Sequence, residues 1–359
     1  MSKKRVAIIF GGASTEYEVS LKSATCVINN IPKSRYKPVL IGISKKGEWF
    51  LYEDDVSKIE DGTWIDSSKN KKAFVSPDKS FKGIVVLSND GTYEKINIDA
   101  AFAVLHGKNG EDGSIQGLFQ LAGIPLVGCS MNSSVECMDK TLTNIMLDHA
   151  GIKQANFLWI YSYNVIRHKD ICVTYIENNM GEYPYFIKPA SAGSSVGISK
   201  VHNTNELRKA LMIAAAEDEK ILVEENVIGR EIECAVMGNG EDLEASILGE
   251  IAPSNEFYDY DAKYISNNSG LYIPANISEE KSNEIKAIAK EAYMLLGCSG
   301  LARVDFFLKE NGEVYLNEVN TIPGFTDISM YPKLMEETGV PIDQQIDRLI
   351  SLALERTEK

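Results

Sequence analysis

Two short runs near the C-terminus carry residues that could hold a divalent cation. Residues 301–308 (LARVDFFL) and 313–320 (EVYLNEVN) flank Lys309-Glu310-Asn311-Gly312. Asn-Gly between apolar runs is a strong hairpin signal, because both residues tolerate positive φ. A two-residue turn at Asn311-Gly312 pairs Glu310 with Glu313, Asp305 with Glu318 and Arg303 with Asn320. Side chains alternate faces along a strand, so Arg303, Asp305, Glu318 and Asn320 share one face. Two carboxylates opposed at ~5 Å repel by roughly 3 kcal/mol at an effective dielectric near 20. A divalent cation removes that repulsion. Two carboxylates and an amide suit Mg²⁺, which takes few protein ligands and completes its shell with phosphates. Taken alone, the pattern fits a solvated sheet face equally well.

Other stretches could contact ligands, and each has a plainer reading by itself. Lys188-Pro189-Ala190-Ser191-Ala192-Gly193-Ser194-Ser195-Val196-Gly197 could cradle a phosphate with backbone N–H groups and a lysine. It lacks the Gly-Lys-Ser/Thr of a P-loop, and a flexible linker would read the same way. Ile221–Glu225 ends a strand in acids that could accept an adenine amine or only terminate the strand. Gly11-Gly12-Ala13-Ser14-Thr15-Glu16 lies between a strand and a helix, where ligands of open α/β sheets collect. Glu16 would suit a substrate ammonium group, although an acid there also favours a helix N-terminus. His106 follows another buried strand, and Gly324 follows the metal-type hairpin.

The elements that must position these residues read as α/β. Strands are expected at 5–10, 38–43 and 100–105, with helices near 21–28 and at 114–122. Residues 53–98 look like an irregular elaboration. Further helices are expected at 140–149, 205–216, 279–296 and 343–354. Further strands are expected at 157–160, 185–188, 196–201, 220–225, 231–237 and 243–250. The length of 359 residues implies two or three domains. A net charge of −14 argues against nucleic-acid binding. No run approaches the ~20 apolar residues of a membrane span, so a cytoplasmic protein without a membrane partner is expected. The six cysteines form no CxxC pair and read as buried apolar residues in a reducing compartment.

These motifs occur together and in one order, and the ensemble resembles the D-alanine–D-alanine ligases of the ATP-grasp superfamily. The matching stretches are Gly11–Ser20, His106-Gly107…Gly110-Glu111-Asp112-Gly113, Met138-Asp139-Lys140 and Lys188…Gly197. Phe257–Tyr264, Arg303-Val304-Asp305 and Asn317–Gly324 complete the set, and the likeness runs from residue 5 to about 350. Lys108 and Glu225 depart from it, standing where many relatives carry arginine and lysine.

The resemblance implies three α/β domains. These are an N-terminal parallel substrate-binding domain (1–128), a central ATP-grasp domain (129–227) and a C-terminal catalytic domain (228–359) with a lid at 252–274. ATP lies between the central and C-terminal sheets. Lys140 and Lys188 contact its phosphates, Glu224 and adjacent backbone hold the adenine, and Glu231 the ribose. Ser195, Glu225 and Val227 complete the nucleotide set. Asp305, Glu318 and Asn320 bind two Mg²⁺ ions, with Mn²⁺ as a substitute. Glu16 binds the ammonium of the first D-alanine and His106 lies beside its carboxylate. Arg303 and the Gly324 N–H serve the oxyanion. Lys263 and Tyr264 sit on the lid, Tyr264 bonding to Ser194 and Glu16. Ser329 and Met330 border the second subsite.

The implied reaction joins two D-alanines through D-alanyl phosphate for peptidoglycan precursor synthesis, in a homodimer. A vancomycin-resistance-type enzyme using D-serine or D-lactate is the alternative. Met330, where such enzymes often carry arginine, and the retained Tyr264 favour D-alanine.

Overall fold

The computed structural model describes residues 2–88, 90–193, 196–252 and 270–356. Three sheets organise the chain. The N-terminal sheet contains β1 (Lys4–Gly11), β2 (Tyr36–Ile43), β3 (Trp49–Tyr52), β4 (Lys71–Val75), β5 (Gly83–Leu87), β6 (Tyr93–Asn97) and β7 (Ala100–Ala103). Their order is β6-β5-β4-β3-β2-β1-β7. β1 pairs in parallel with β2 and β7. The run Val6–Phe10 is apolar throughout because both faces are covered. Val6, Ile8 and Phe10 enter one core, and Ala7 and Ile9 enter another. The expected irregular stretch at 53–98 instead contributes β4, β5 and β6, which extend the sheet antiparallel. Charged residues mask β4 (KKAFV) and β6 (YEKIN), whereas β5 (GIVVL) is an apolar, buried run that does carry a strand signal. β4 alternates exposed and buried residues, and β6 (YEKIN) is almost wholly exposed.

The central sheet has the order β10-β9-β11-β8, from β8 (Phe157–Tyr161), β9 (Tyr185–Pro189), β10 (Ser199–Val201) and β11 (Lys220–Glu225). The helical segment Ser162–Met180, kinked at non-helical His168, and helix Thr204–Glu217 bury Val165, Ile176, Leu207 and Leu211 against it. The first of these helices was not anticipated. Many of its apolar residues are exposed, including Ile166 and Ile171, so its inward stripe is narrow.

The C-terminal sheet has the order β14-β13-β12-β15-β16. Its strands are β12 (Arg230–Asn239), β13 (Asp242–Ala252), β14 (Gly270–Tyr272), β15 (Gly300–Leu308) and β16 (Val314–Asn320). Helix Glu279–Leu295 packs on the face that carries Ile232, Cys234, Val304 and Phe306. Each such buried side chain contributes roughly 1.5–3 kcal/mol.

The β15–β16 hairpin reaches the expected face by an unexpected route. Its loop has three residues, not two. The Lys309 N–H donates to the Glu313 carbonyl at 2.9 Å, and the Gly312 N–H donates to the Lys309 carbonyl at 2.9 Å. Gly312 alone of the Asn-Gly pair adopts left-handed φ, at +83°. Glu310 and Glu313 therefore do not pair, and near the tip Leu308 lies opposite Val314 and Phe306 opposite Leu316. A bulge then admits Asn317, and the ladder resumes with Asp305 opposite Glu318 and Arg303 opposite Asn320. The apolar spacing of β16 already marks the bulge. Val314, Leu316 and Val319 are buried, a step of two followed by a step of three.

Candidate active site

Two cavities meet where the three sheets converge. The first, of about 150 Å³, is lined by Glu16, His106, Arg303, Glu318, Asn320, Gly324, Ser329 and Met330 among others. The second, of about 420 Å³, lies between the central and C-terminal sheets. Lys188, Glu224, Glu225, Val227, Glu231 and Asp305 are in its wall. Lys140, Ile198, Glu233, Arg303 and Glu318 line both.

Glu16 precedes helix Tyr17–Asn30 and is 6% exposed. A Cβ on Gly107 would stand 2.4 Å from its Oε2, and one on Gly193 3.0 Å. The loop after β7 and the glycine-rich loop after β9 thus both close on this carboxylate. Gly107 also has φ +67°, so a side chain there is excluded twice. His106 is buried. Its Nδ1 lies 3.1 Å from the Ile322 carbonyl and 3.5 Å from Glu111, and its Nε2 lies 3.3 Å from Ser23 Oγ. Burial alone would lower its pKa, but Glu111, Glu16 and the Ile322 carbonyl together raise it above the ordinary value. Ser23 Oγ also accepts the Phe325 N–H at 3.2 Å, which ties helix Tyr17–Asn30 to the loop after β16. In that loop a Cβ on Gly324 would lie 2.6 Å from Ser329 Oγ.

At the nucleotide-sized cavity, Asp139 caps helix Lys140–Ala150, accepting the Thr141 N–H at 3.0 Å. This fixes Lys140, whose ammonium donates to the Ala192 carbonyl at 3.0 Å. Lys188 and Glu224 form a buried ion pair at 2.5 Å, and Asn144 donates to the other Glu224 oxygen at 2.9 Å. Both carboxylate oxygens of Glu224 thus have partners within the protein. Glu225 turns its side chain to Asn156, accepting its backbone and amide N–H groups at 3.0 Å each. The Glu225 carboxylate is thus engaged by Asn156.

On the hairpin face, Arg303 donates to both oxygens of Asp305 at 2.8 and 2.7 Å and lies 3.1 Å from Glu233. Burial would lower its pKa, but Asp305, Glu233 and Glu318 drive it well above the ordinary arginine value. Among the described residues no three His, Cys, Asp or Glu side chains converge as a closed metal cage. Two carboxylates opposed across a ladder with an amide one row away fit Mg²⁺, which needs few protein ligands when phosphates supply the rest.

Ser194, Ser195, Lys263 and Tyr264 lie outside the described residues. Glu233 and Asn144 were not anticipated. Glu233 had a signal, since Glu231-Ile232-Glu233 places a second acid on the cavity face of β12. Asn144 had none, because its partner Glu224 is 80 residues away.

A D-ala D-ala ligase N-terminus model matches residues 5–129, and a D-ala D-ala ligase C-terminus model matches residues 146–351. The chain belongs to the D-alanine–D-alanine ligase family. It is 50% identical over 355 residues to the D-alanine–D-alanine ligase of Clostridium acetobutylicum, covering 99% of each. It is 49% identical to that of Caldicellulosiruptor bescii, covering 100% of this chain and 97% of the relative. Among solved structures, the VanG D-Ala:D-Ser ligase from Enterococcus faecalis superimposes with TM-score 0.89 at 43% identity, covering 98% and 100%. The D-alanine–D-alanine ligase from Coxiella burnetii gives TM-score 0.84 at 33% identity, covering 99% and 96%. The three-sheet ATP-grasp architecture is therefore that of the D-alanine–D-alanine ligase family. Among the described residues no helix is long and apolar enough to cross a membrane.

Proposed function

We propose that the chain condenses two D-alanines to D-alanyl-D-alanine, converting ATP to ADP and phosphate through D-alanyl phosphate. The observation that carries this reading is the pair of cavities joined through Lys140, Glu233, Arg303 and Glu318. A phosphoryl group in one can reach a carboxylate in the other without leaving the protein. In this reading Glu16 holds the first D-alanine ammonium and His106 stands beside its carboxylate. Lys140 and Lys188 offset phosphate charge, and the Glu224–Asn144 pair holds Lys188 in place. Glu224, with Val227 and adjacent backbone, receives the adenine, and Glu231 the ribose. Asp305, Glu318 and Asn320 hold Mg²⁺, which supplies charge neutralisation for phosphoryl transfer between two anions. Arg303 and the Gly324 N–H stabilise the oxyanion when the second amine attacks. Ser194, Ser195, Lys263 and Tyr264 keep the phosphate-loop and lid roles that the family resemblance implies. The divisions near residues 128 and 227, a homodimer and cytoplasmic action in peptidoglycan precursor synthesis belong to the same proposal.

A D-alanine–D-serine ligase is the second reading, favoured by the likeness to VanG. Met330 weighs against it. Its side chain is buried, lines the first cavity, and ends where a Cβ on Gly249 would lie 2.3 Å away. Met330 itself offers a D-serine hydroxyl no partner, and a hydroxyl left unpaired against it costs ~1–3 kcal/mol, roughly 5- to 150-fold in selectivity. With equal D-alanine and D-serine near neutral pH, ADP release should be accompanied mainly by D-alanyl-D-alanine in the mass spectrum. A mainly mixed dipeptide would decide for the second reading, and AMP with pyrophosphate would exclude the acyl-phosphate route.

A further inference from the structure

Along β12 one face runs from core to cavity. Met237 and Ala235 lie in the apolar core, and Glu233 and Glu231 line the cavity. Glu233 is therefore the first polar side chain beyond the core on that face, 6% exposed. It lies across the ladder from Asp305, which lies across the next ladder from Glu318. Three carboxylates share this row, and the adjacent row holds Ala235, Arg303 and Asn320. Arg303 reaches back into the carboxylate row. It grips Asp305 with Nε and Nη2, and the same Nε lies 3.1 Å from Glu233 Oε2.

Glu233 could be a third metal ligand or a counter-ion for Arg303. Glu233 is ion-paired with the guanidinium at 3.1 Å, which favours the second role. Asp305 has two demands on its oxygens in the proposed reaction, the cation and Arg303. A guanidinium held by Asp305 alone would lose aim whenever those oxygens serve the cation. A second carboxylate with no metal duty removes the conflict.

We propose that Glu233 is a positioning residue that holds Arg303 at the seam between the two cavities, an inference that rests on the ligase reading. Glu233→Gln keeps the shape and removes the charge. Asp305 still partners Arg303, so the fold should survive, and a melting curve checks this. The variant should lose 10- to 100-fold in kcat, the scale of a misaimed group. The KM for ATP, and ADP binding measured by calorimetry across a Mg²⁺ titration, should stay within about twofold. Glu233→Asp, which keeps the charge, should retain more activity, and it carries the same test if Glu233→Gln unfolds. The deciding measurement is a double-mutant cycle. In an Arg303→Ala background, Glu233→Gln should change kcat by less than about twofold, because residues acting through one group are not additive. A fully additive loss, wild-type kcat in Glu233→Gln, or a shifted Mg²⁺ dependence of ADP binding would each overturn the proposal while leaving the ligase reading intact. Absence of D-alanine-dependent turnover in the wild type would overturn both.

Discussion

The central and C-terminal sheets face each other across one cavity but handle charge in different ways. On the central side, Lys188 is matched by Glu224, and Asn144 takes the remaining Glu224 oxygen. That wall is settled before any ligand arrives. On the C-terminal side, Glu233, Asp305 and Glu318 stand in one row with one guanidinium, Arg303, reaching in from the next. That wall has an excess of acid. The contrast separates two tasks. A charge-matched wall can recognise a nucleotide without rearrangement, whereas an acid-rich wall draws cations to the place where two anions must react. Substitutions on the first should alter binding, and substitutions on the second should alter chemistry.

The strongest way to break this contrast is Arg303→Ala. We expect kcat to fall by at least ~10², the scale for losing one oxyanion donor, with ATP affinity nearly unchanged. Steady-state kinetics beside a nucleotide titration read both, and a large loss of affinity with normal turnover would reverse the assignment of the two walls.

Asp305→Asn and Glu318→Gln come next. Each removes one of the two carboxylates assigned to the cation, so each should raise the Mg²⁺ concentration for half-maximal rate by about 10-fold or more, near the range seen when a metal's supporting shell is disturbed. Unchanged Mg²⁺ titrations in both would detach the hairpin from cation binding.

Glu224→Gln tests the opposite wall. It leaves the Asn144 contact possible but removes the counter-ion of Lys188. ATP binding should weaken by about 10-fold, the low end for a charged hydrogen bond, with kcat at saturation close to wild type. A kcat defect without a binding defect would count against the division of labour.

The smallest effect belongs to His106, away from both walls. Its pKa is raised in the fold, largely through Glu111 against the opposing effect of burial. Its contribution to stability is therefore complete below the ordinary histidine value and lost as pH rises through the folded-state value. Glu111→Gln should lower Tm at pH 6 by an amount worth ~1 kcal/mol and by less at pH 9. A difference that is flat or grows with pH would contradict the sign.

The acid-rich wall was more legible in sequence than the matched one. Arg303, Asp305, Glu318 and Asn320 are close in sequence and joined by one turn, so alternation alone groups them. The grouping held although the turn had three residues and a bulge corrected the register. Lys188, Glu224 and Asn144 come from two strands and a helix, and no local pattern joins them. Among the elements, buried runs such as Val6–Phe10 were plain. The half-exposed strands β4 and β6 and the helical segment Ser162–Met180 were not, because their apolar stripes are thin.

The bulge at Asn317 also limits how this hairpin could be transplanted. If the tip pairing of Leu308 with Val314 continued unbroken, Asn317 would meet Asp305 and Glu318 would meet Val304. Glu318 would then point into the apolar layer and Val319 into the cavity. A one-residue slip exchanges every side chain between faces, and an acid in that layer would cost several kcal/mol. A scaffold that borrows Arg303 and Asp305 with Glu318 and Asn320 must therefore borrow the extra residue as well. A tidied, perfectly regular hairpin built from the same sequence would be the version that fails.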